Sequence, residues 1–326
     1  MHIPFLLTPT GKDYIWGGTR LKNEFAKNLC FSSLAETWEC STHPEGPSKV
    51  SSGPYNGQTL QNVLIRRPDF VGTHPQVVNG QLPILVKLID AQQDLSIQVH
   101  PSDQYARVHE NGQLGKTEMW YILHAEPGSK LVYGFAREMT KELVLKTLDD
   151  HTFTKYLQHI PAHTNDVFYI EPGTVHAIGK GIVLAEVQEN SNITYRLYDY
   201  DRVDKNGQAR ALHRQKALEV ANLKASKEQL QPMRVLNYQP GCAKELIGRC
   251  KYFLVERILI NCPSERPFSY QTGQNSFRVL LCMQGTGYLG WENGKLSFKK
   301  GDCLFVPASS ILLDMVGNAQ FLQVSC

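Results

Sequence analysis

The chain has 326 residues, 42% hydrophobic and 20% charged, a globular composition that excludes a disordered or collagen-like protein. Its 34 Lys and Arg against 31 Asp and Glu leave a formal charge of +3, too weak a field for a nucleic-acid binder. No apolar stretch approaches the roughly 20 residues needed to span a bilayer, and the opening residues lack a positive n-region and break at Thr8-Pro9, so neither a membrane partner nor a secretory signal is expected.

Short apolar runs bounded by Gly, Pro and Asn dominate, which predicts a mostly β chain. The first helical pattern lies in TLQNVLIRRPDFVG (59–72), followed by strand-like LPILVKLI (82–89), LSIQVH (95–100), EMWYILH (118–124) and KLVYGF (130–135). A helical insertion over 139–160 is opened by a Thr140 cap. The runs DVFYIEP (166–172) and GIVLAEVQ (181–188) come next, then a helix over 214–223. A polar, turn-rich stretch, 223–241, reads as a linker. Beyond it YFLVERILI (252–260), FRVLLCMQ (277–284), GYLGW (287–291) and DCLFVPA (302–308) form a second β unit. The expected division is 1–235 and 236–326.

An internal echo points to duplicated architecture. NDVFYIEPGTVH (165–176) aligns without gaps to GDCLFVPASSIL (301–312), and upstream of each lies an expected strand pair with a Gly turn, 118–134 and 277–291. The polar residues differ in one direction: His176 stands opposite Leu312, which is read as a packing residue. The eight cysteines include no CxxC pair, and Cys282 and Cys303 sit inside apolar runs. Free thiols of a reduced compartment are expected, hence a cytoplasmic protein.

In IQVHP, Gln98 and His100 are two residues apart on an apparent strand, so both project from one face. Glu118 opens a following strand, and His176 sits in the turn PGTVHA. Two imidazoles, a carboxylate and an amide oxygen suit zinc or another borderline divalent ion. A lone strand histidine is more often a hydrogen-bonded core or surface residue; only the combination sets this set apart. Lys87 interrupts an apolar run, where its charge needs a partner, an open cavity or a snorkelling edge position.

Together LPILVKLIDAQQDLSIQVHP (82–101), GKTEMWYIL (115–123) and EPGTVHAI (171–178) closely resemble type I mannose-6-phosphate isomerases of the cupin superfamily. WGG (16–18), AETWECSTHPEGPSKV (35–50) and NSNITYRLYDYDR (190–202) resemble the short bacterial form. The resemblance implies two cupin-like β-barrel or jelly-roll domains with a small helical segment. It implies one Zn2+ per chain on Gln98, His100, Glu118 and His176. The implied activity interconverts mannose 6-phosphate and fructose 6-phosphate through an enediol, in a monomer or weak homo-oligomer whose partner is a small phosphorylated sugar.

Arg196 then matches the family's active-site arginine, Glu186 the glutamate ten residues before it, and Ser96 a serine near the phosphate; Glu186 is expected to orient Arg196 by a charge pair or to cap a network. Lys116 or a metal-bound water is the expected base, with Lys87 polarising the sugar. Glu36 and Glu39 are expected to tie loops at the rim, Trp38 to pack, and His43, His109, His124, His151, His159, His163 and His213 to be surface or locally hydrogen-bonded. The competing readings are a non-catalytic sugar-phosphate sensor and a redox cupin; cupins host many activities, so the fold alone does not choose.

Overall fold

Alternation along the strands decides the architecture. Ile97 and Val99 are buried on one side of their strand and pack on the helical segments, which sends Gln98 and His100 the other way. Likewise Met119 and Tyr121 face one core while Trp120 and Ile122 face another. A computed structural model describes the chain except residues 74–76, 78, 205, 228–230 and 232, so part of the expected linker lies outside the described residues.

Among the described residues the strands form three antiparallel sheets. The six-stranded sheet runs Val167–Ile170, Glu118–Ala125, Ile182–Glu189, Ile84–Ala91, Glu36–Cys40 and Thr10–Lys12. The five-stranded sheet runs Tyr195–Tyr198, Ile97–Val99, His176–Ile178, Lys130–Phe135 and Leu157–Pro161. Residues from both sheets, among them Ile89, Trp120, Leu184, Leu131 and Ile178, share one buried cluster between them. The sheets are open, so the mostly β, cupin-like reading holds as a layered sandwich rather than as closed barrels.

The third sheet has ten strands and gathers the C-terminal elements, but Phe5–Thr8 and Lys49–Val50 join it, with Phe5–Thr8 pairing Cys303–Val306. One of its faces meets the six-stranded sheet through Val255, Val279 and Phe305. The other curls around Ile258, Leu280, Leu304 and Phe321. Hydrocarbon therefore fills the C-terminal interior, where the N-terminal sandwich carries polar groups.

Thr140 caps the Lys141–Asp149 helix by accepting from the Leu143 amide at 3.2 Å, and Leu60–Arg66 and Arg214–Val220 are also helical. Short helices at Arg20–Phe25 and Asp103–His109 were not expected from the pattern.

Four expectations change. The helical insertion expected over 139–160 ends at Tyr156, since Leu157–Pro161 pairs as a strand, and the linker expected over 223–241 contains the strand Leu236–Gln239. The expected strand pair over 277–291 is one long strand, Arg278–Trp291: a bulge falls between Cys282 and Gln284, and Gly285 just after it, at a left-handed φ of 85°, stays in register with Ala319 instead of turning the chain. Leu312 is 60% exposed, since the next strand begins at Leu313; Leu313 carries the packing. All eight cysteines are free thiols, with Cys30 exposed and Cys282 and Cys303 buried.

Candidate active site

Two cross-strand rows face each other across the sandwich. In the five-stranded sheet Gln98 is in register with His176 on one side and Arg196 on the other. In the six-stranded sheet Glu186 is in register with Lys87 and with Trp120. Residues in register project from the same face, so each row presents its side chains to the interior. His100 and Glu118, one step along, complete the cluster, and His176 begins a strand rather than lying within a turn.

His100, Glu118 and His176 are buried, and their ligand atoms lie within 4.8 Å of one another. The Nδ1 of His100 stands 2.8 Å from the Ile193 carbonyl, and that of His176 2.8 Å from the Thr174 carbonyl. A carbonyl only accepts, so each ring donates from Nδ1 and, while neutral, keeps a bare lone pair on Nε2. Burial pushes both imidazoles down, His176 to about 4, which keeps them neutral.

Both lone pairs face a carboxylate, and His100 Nε2 also stands 3.2 Å from Lys116 Nζ, which donates to it. Oε1 of Glu118 is 3.3 Å from His176 Nε2, and Oε2 is 3.6 Å from His100 Nε2. Neither oxygen accepts a well-formed hydrogen bond, although Lys116 Nζ stands 2.7 Å from Oε2. Burial pushes the Glu118 carboxyl up to about 7, with Lys116 acting against the shift. Buried acceptors facing one another are costly unless a proton or cation lies among them. Gln98 adds its amide, 3.4 Å from His176 Nε2, and rotation of that amide offers an oxygen instead. The donor set, N/N/O with a neutral O, fits a divalent ion of the zinc type, and the carbonyl anchors orient the rings as ligating histidines require.

Gln98 and Lys116, which touch the cluster, also line a cavity of about 270 Å³ whose wall includes Lys87, Glu186, Arg196, Arg210 and His213. Lys87 is buried, so the edge-lysine alternative fails: its Nζ is 3.1 Å from Glu186 and 3.7 Å from Glu36. Burial opposes its charge, but those two carboxylates more than reverse the effect and hold the ammonium protonated. Burial also acts to raise Glu186, yet Lys116 and Lys87 hold its carboxyl down at about 2. Trp120 Nε1 donates to it at 3.1 Å. Glu186 therefore meets lysines, and the expected charge pair with Arg196 is not formed.

Arg196 instead donates from Nε to Ser96 Oγ at 3.1 Å and from Nη1 to the Ala211 carbonyl at 2.8 Å, both neutral partners. Ser96 is buried beside it and lines the cavity.

Arg210 and His213 are among the wall residues that the sequence reading did not place in the site, and Glu36 was expected only at its rim. Arg210 is carried in by the chain after the YDYDR turn, where Val203 bridges Ala209, and is held by Asp199 at 2.6 Å. His213, expected to be peripheral, lines the cavity and exchanges backbone contacts with Arg196. Glu36 lines the cavity and accepts from Trp38 Nε1 at 2.8 Å, so that indole does more than pack. Glu39 lies elsewhere: it is buried in an ion pair with Lys27 at 2.6 Å, and Lys27 also donates to the Gly301 carbonyl. Of the two unplaced residues only Arg210 carried a usable signal, an arginine shortly after the arginine-bearing strand.

Comparison with known proteins agrees with this geometry. The family model "Phosphomannose isomerase type I, catalytic domain" matches residues 5–114. The mannose-6-phosphate isomerase ManA of Bacillus subtilis is 36% identical over 304 residues, covering 93% of each chain. The mannose-6-phosphate isomerase of Streptococcus mutans is 39% identical over 226 residues, 68% of this chain and 69% of that one. The crystal structure of the mannose 6-phosphate isomerase from B. subtilis superposes with a TM-score of 0.89 at 34% identity, covering 99% of both chains. Similarity of this extent, over nearly the whole length, makes the chain a member of the type I mannose-6-phosphate isomerase family.

Proposed function

We propose that this protein is a metal-dependent aldose–ketose isomerase that interconverts D-mannose 6-phosphate and D-fructose 6-phosphate through an enediol. The observation that carries the reading is the convergence of His100 Nε2, His176 Nε2 and the Glu118 carboxylate, all acceptors, beside a cation-lined cavity whose wall includes Gln98 and Lys116. Gln98, His100, Glu118 and His176 would hold one Zn2+. When bound, the ion supplies Lewis-acid polarisation at the sugar's C1 and C2 oxygens.

The chain's own residues do the rest. Isomerisation takes a proton from C2 of the aldose and returns one to C1 of the ketose, while a hydroxyl proton passes between O2 and O1. Lys116 Nζ sits between Glu118 at 2.7 Å and Glu186 at 3.9 Å on the cavity wall, which suits it to carry that proton. Lys87, held protonated by Glu186 and Glu36, presents positive charge to the sugar oxygens. Arg196 has no carboxylate partner among the described residues, so its charge remains available for the enediolate or the phosphate. Arg210 and Ser96 complete an anion-binding end. Leu95, Ile89 and Ile178 line the same cavity and limit water around the reacting carbons.

Residues 1–235 carry every group named here, and 236–326 form a β unit filled by hydrocarbon. No described helix is long and apolar enough to cross a membrane, and eight free thiols suit a reducing cytoplasm. The test is metal analysis coupled to an isomerase assay on mannose 6-phosphate. The expected result is turnover that falls with metal content under chelation and returns with zinc. Full turnover in metal-stripped protein, or none in zinc-loaded protein, contradicts the proposal.

A further inference from the structure

Lys116 and Glu118 are presented by a segment whose backbone is fastened at three successive amides. Gly115 N donates to Asp103 Oδ1 at 3.0 Å, Lys116 N to the Pro101 carbonyl at 3.0 Å, and Thr117 N to Glu189 Oε1 at 2.7 Å. The approach is close: a Cβ on Gly115 would lie 2.4 Å from the Asp103 nitrogen. Two of the three fasteners are carboxyls, and they face each other.

Glu189 is buried, and its second oxygen, Oε2, accepts no hydrogen bond. Asp103 is reached from the C-terminal half: Tyr252 Oη donates to its Oδ2 at 2.8 Å, and Lys251 Nζ stands 3.8 Å away. On its own helix Arg107 lies 4.0 Å off. Tyr169 also faces Glu189 from the six-stranded sheet. No lysine or arginine pairs with Glu189 among the ion pairs of the described residues, whereas Asp103 has both a hydroxyl and an ammonium. A buried carboxyl against a half-buried one does not readily ionise along with it, and the buried, less compensated one keeps the proton.

We propose that Glu189 is a positioning residue, held as the neutral acid that shares its proton with Asp103, and that this pair, anchored by Tyr252, clamps residues 115–118 so that Lys116 and Glu118 meet the histidines. The inference builds on the function proposed above and assigns the C-terminal half a part in the site. Glu189 touches neither metal nor sugar; it acts through the Thr117 amide. The direction of titration agrees: burial, reinforced by Asp103, pushes Glu189 up to about 8. Asp103 falls below the usual carboxylate range, since burial is outweighed by the Gly115 amide and the Tyr252 hydroxyl.

The pair is tested by Glu189→Gln, Glu189→Leu and Tyr252→Phe in the full chain. Three readouts apply: hydrogen exchange at amides 115–118, zinc affinity by chelator competition, and kcat with KM. Glutamine keeps the acceptor for Thr117 and a permanent donor for Asp103, so exchange and zinc affinity should stay within about twofold of wild type. Leucine should speed exchange at these amides and weaken zinc about tenfold or more, with kcat falling while KM holds.

Unchanged exchange and zinc affinity in the leucine variant would overturn the clamp. A glutamine variant as impaired as leucine would overturn the shared proton. If the leucine variant does not fold, Tyr252→Phe decides, with faster exchange at Gly115 expected and wild-type exchange contradicting the proposal. Exchange needs neither metal nor substrate, so a wild-type protein without isomerase activity would refute the functional reading and leave the clamp to be judged separately.

Discussion

The Nε2 atom of His176 lies 3.3 Å from Oε1 of Glu118, and with the imidazole proton committed to the Thr174 carbonyl the ring meets that carboxylate as a second acceptor. Such a contact is repulsive in isolation. A proton or a cation between the two groups relieves it, and the surrounding donor set suits a cation, which is why this pair weighs more than the sequence motif around it.

Lys116 is assigned the proton transfer, so removing its amine while keeping its length separates chemistry from metal binding. Lys116→Met is expected to keep zinc and lower kcat by about 10²–10⁴-fold, the usual range for a lost general acid–base group. Steady-state kinetics with metal analysis on the same sample check this. A variant with wild-type kcat would remove Lys116 from the reaction.

Arg210 is placed at the anion end by its bond to Asp199 at 2.6 Å. Losing a charged hydrogen-bond partner costs about 1.5–3 kcal/mol, so Arg210→Met should raise KM for the phosphorylated sugar by about 10–100-fold with kcat nearly unchanged. Inhibition by inorganic phosphate should weaken in parallel. A change confined to kcat would instead place Arg210 at the reacting carbons.

Asp199 supplies a pH signature. Burial acts to raise its carboxyl, but hydrogen bonds from Arg210 and Arg202 hold it below the usual range. A depressed folded value stabilises the protein fully above the unfolded pKa, about 3.9, and that contribution is lost as pH falls through the folded value. Asp199→Asn should therefore unfold at lower temperature than wild type at pH 7, and the gap should close below about pH 4. A gap independent of pH would show that the aspartate's charge contributes nothing.

Packing in the C-terminal half distinguishes two apolar residues. Phe321 is fully buried in the interior cluster, so Phe321→Ala should cost about 3–5 kcal/mol in denaturant unfolding. Leu312, 60% exposed, should cost no more than about 0.5 kcal/mol on truncation. Equal effects at the two positions would contradict the inner and outer faces described here.

Much of the site was legible because strand periodicity is local. Two residues of spacing put Gln98 and His100 on one face, and an acid opening an apolar run marked Glu118. The C-terminal echo was legible for the same reason, but its end was not: whether Leu312 or Leu313 starts the strand depends on a turn that no alternation pattern encodes. Gly285 looked like a turn residue and follows a bulge within one strand, because the choice is made by the partner strand Leu313–Ser325. His213 reaches the cavity through tertiary folding alone, and the pairing of Phe5–Thr8 with Cys303–Val306 likewise has no local signal. Glu186 was found as a residue with two roles left open, a charge pair with Arg196 or a place in a network, and it takes the second, since cross-strand register with Lys87 is invisible before the sheet order is known.

The most direct measurement is an anomalous-scattering map at the zinc edge on crystals of the zinc-loaded protein. One peak is expected, with His100 Nε2, His176 Nε2, a Glu118 oxygen and the Gln98 amide oxygen around it at about 2.0–2.2 Å for the nitrogen and carboxylate ligands. A peak among other residues, or none in protein that isomerises mannose 6-phosphate, would contradict the account.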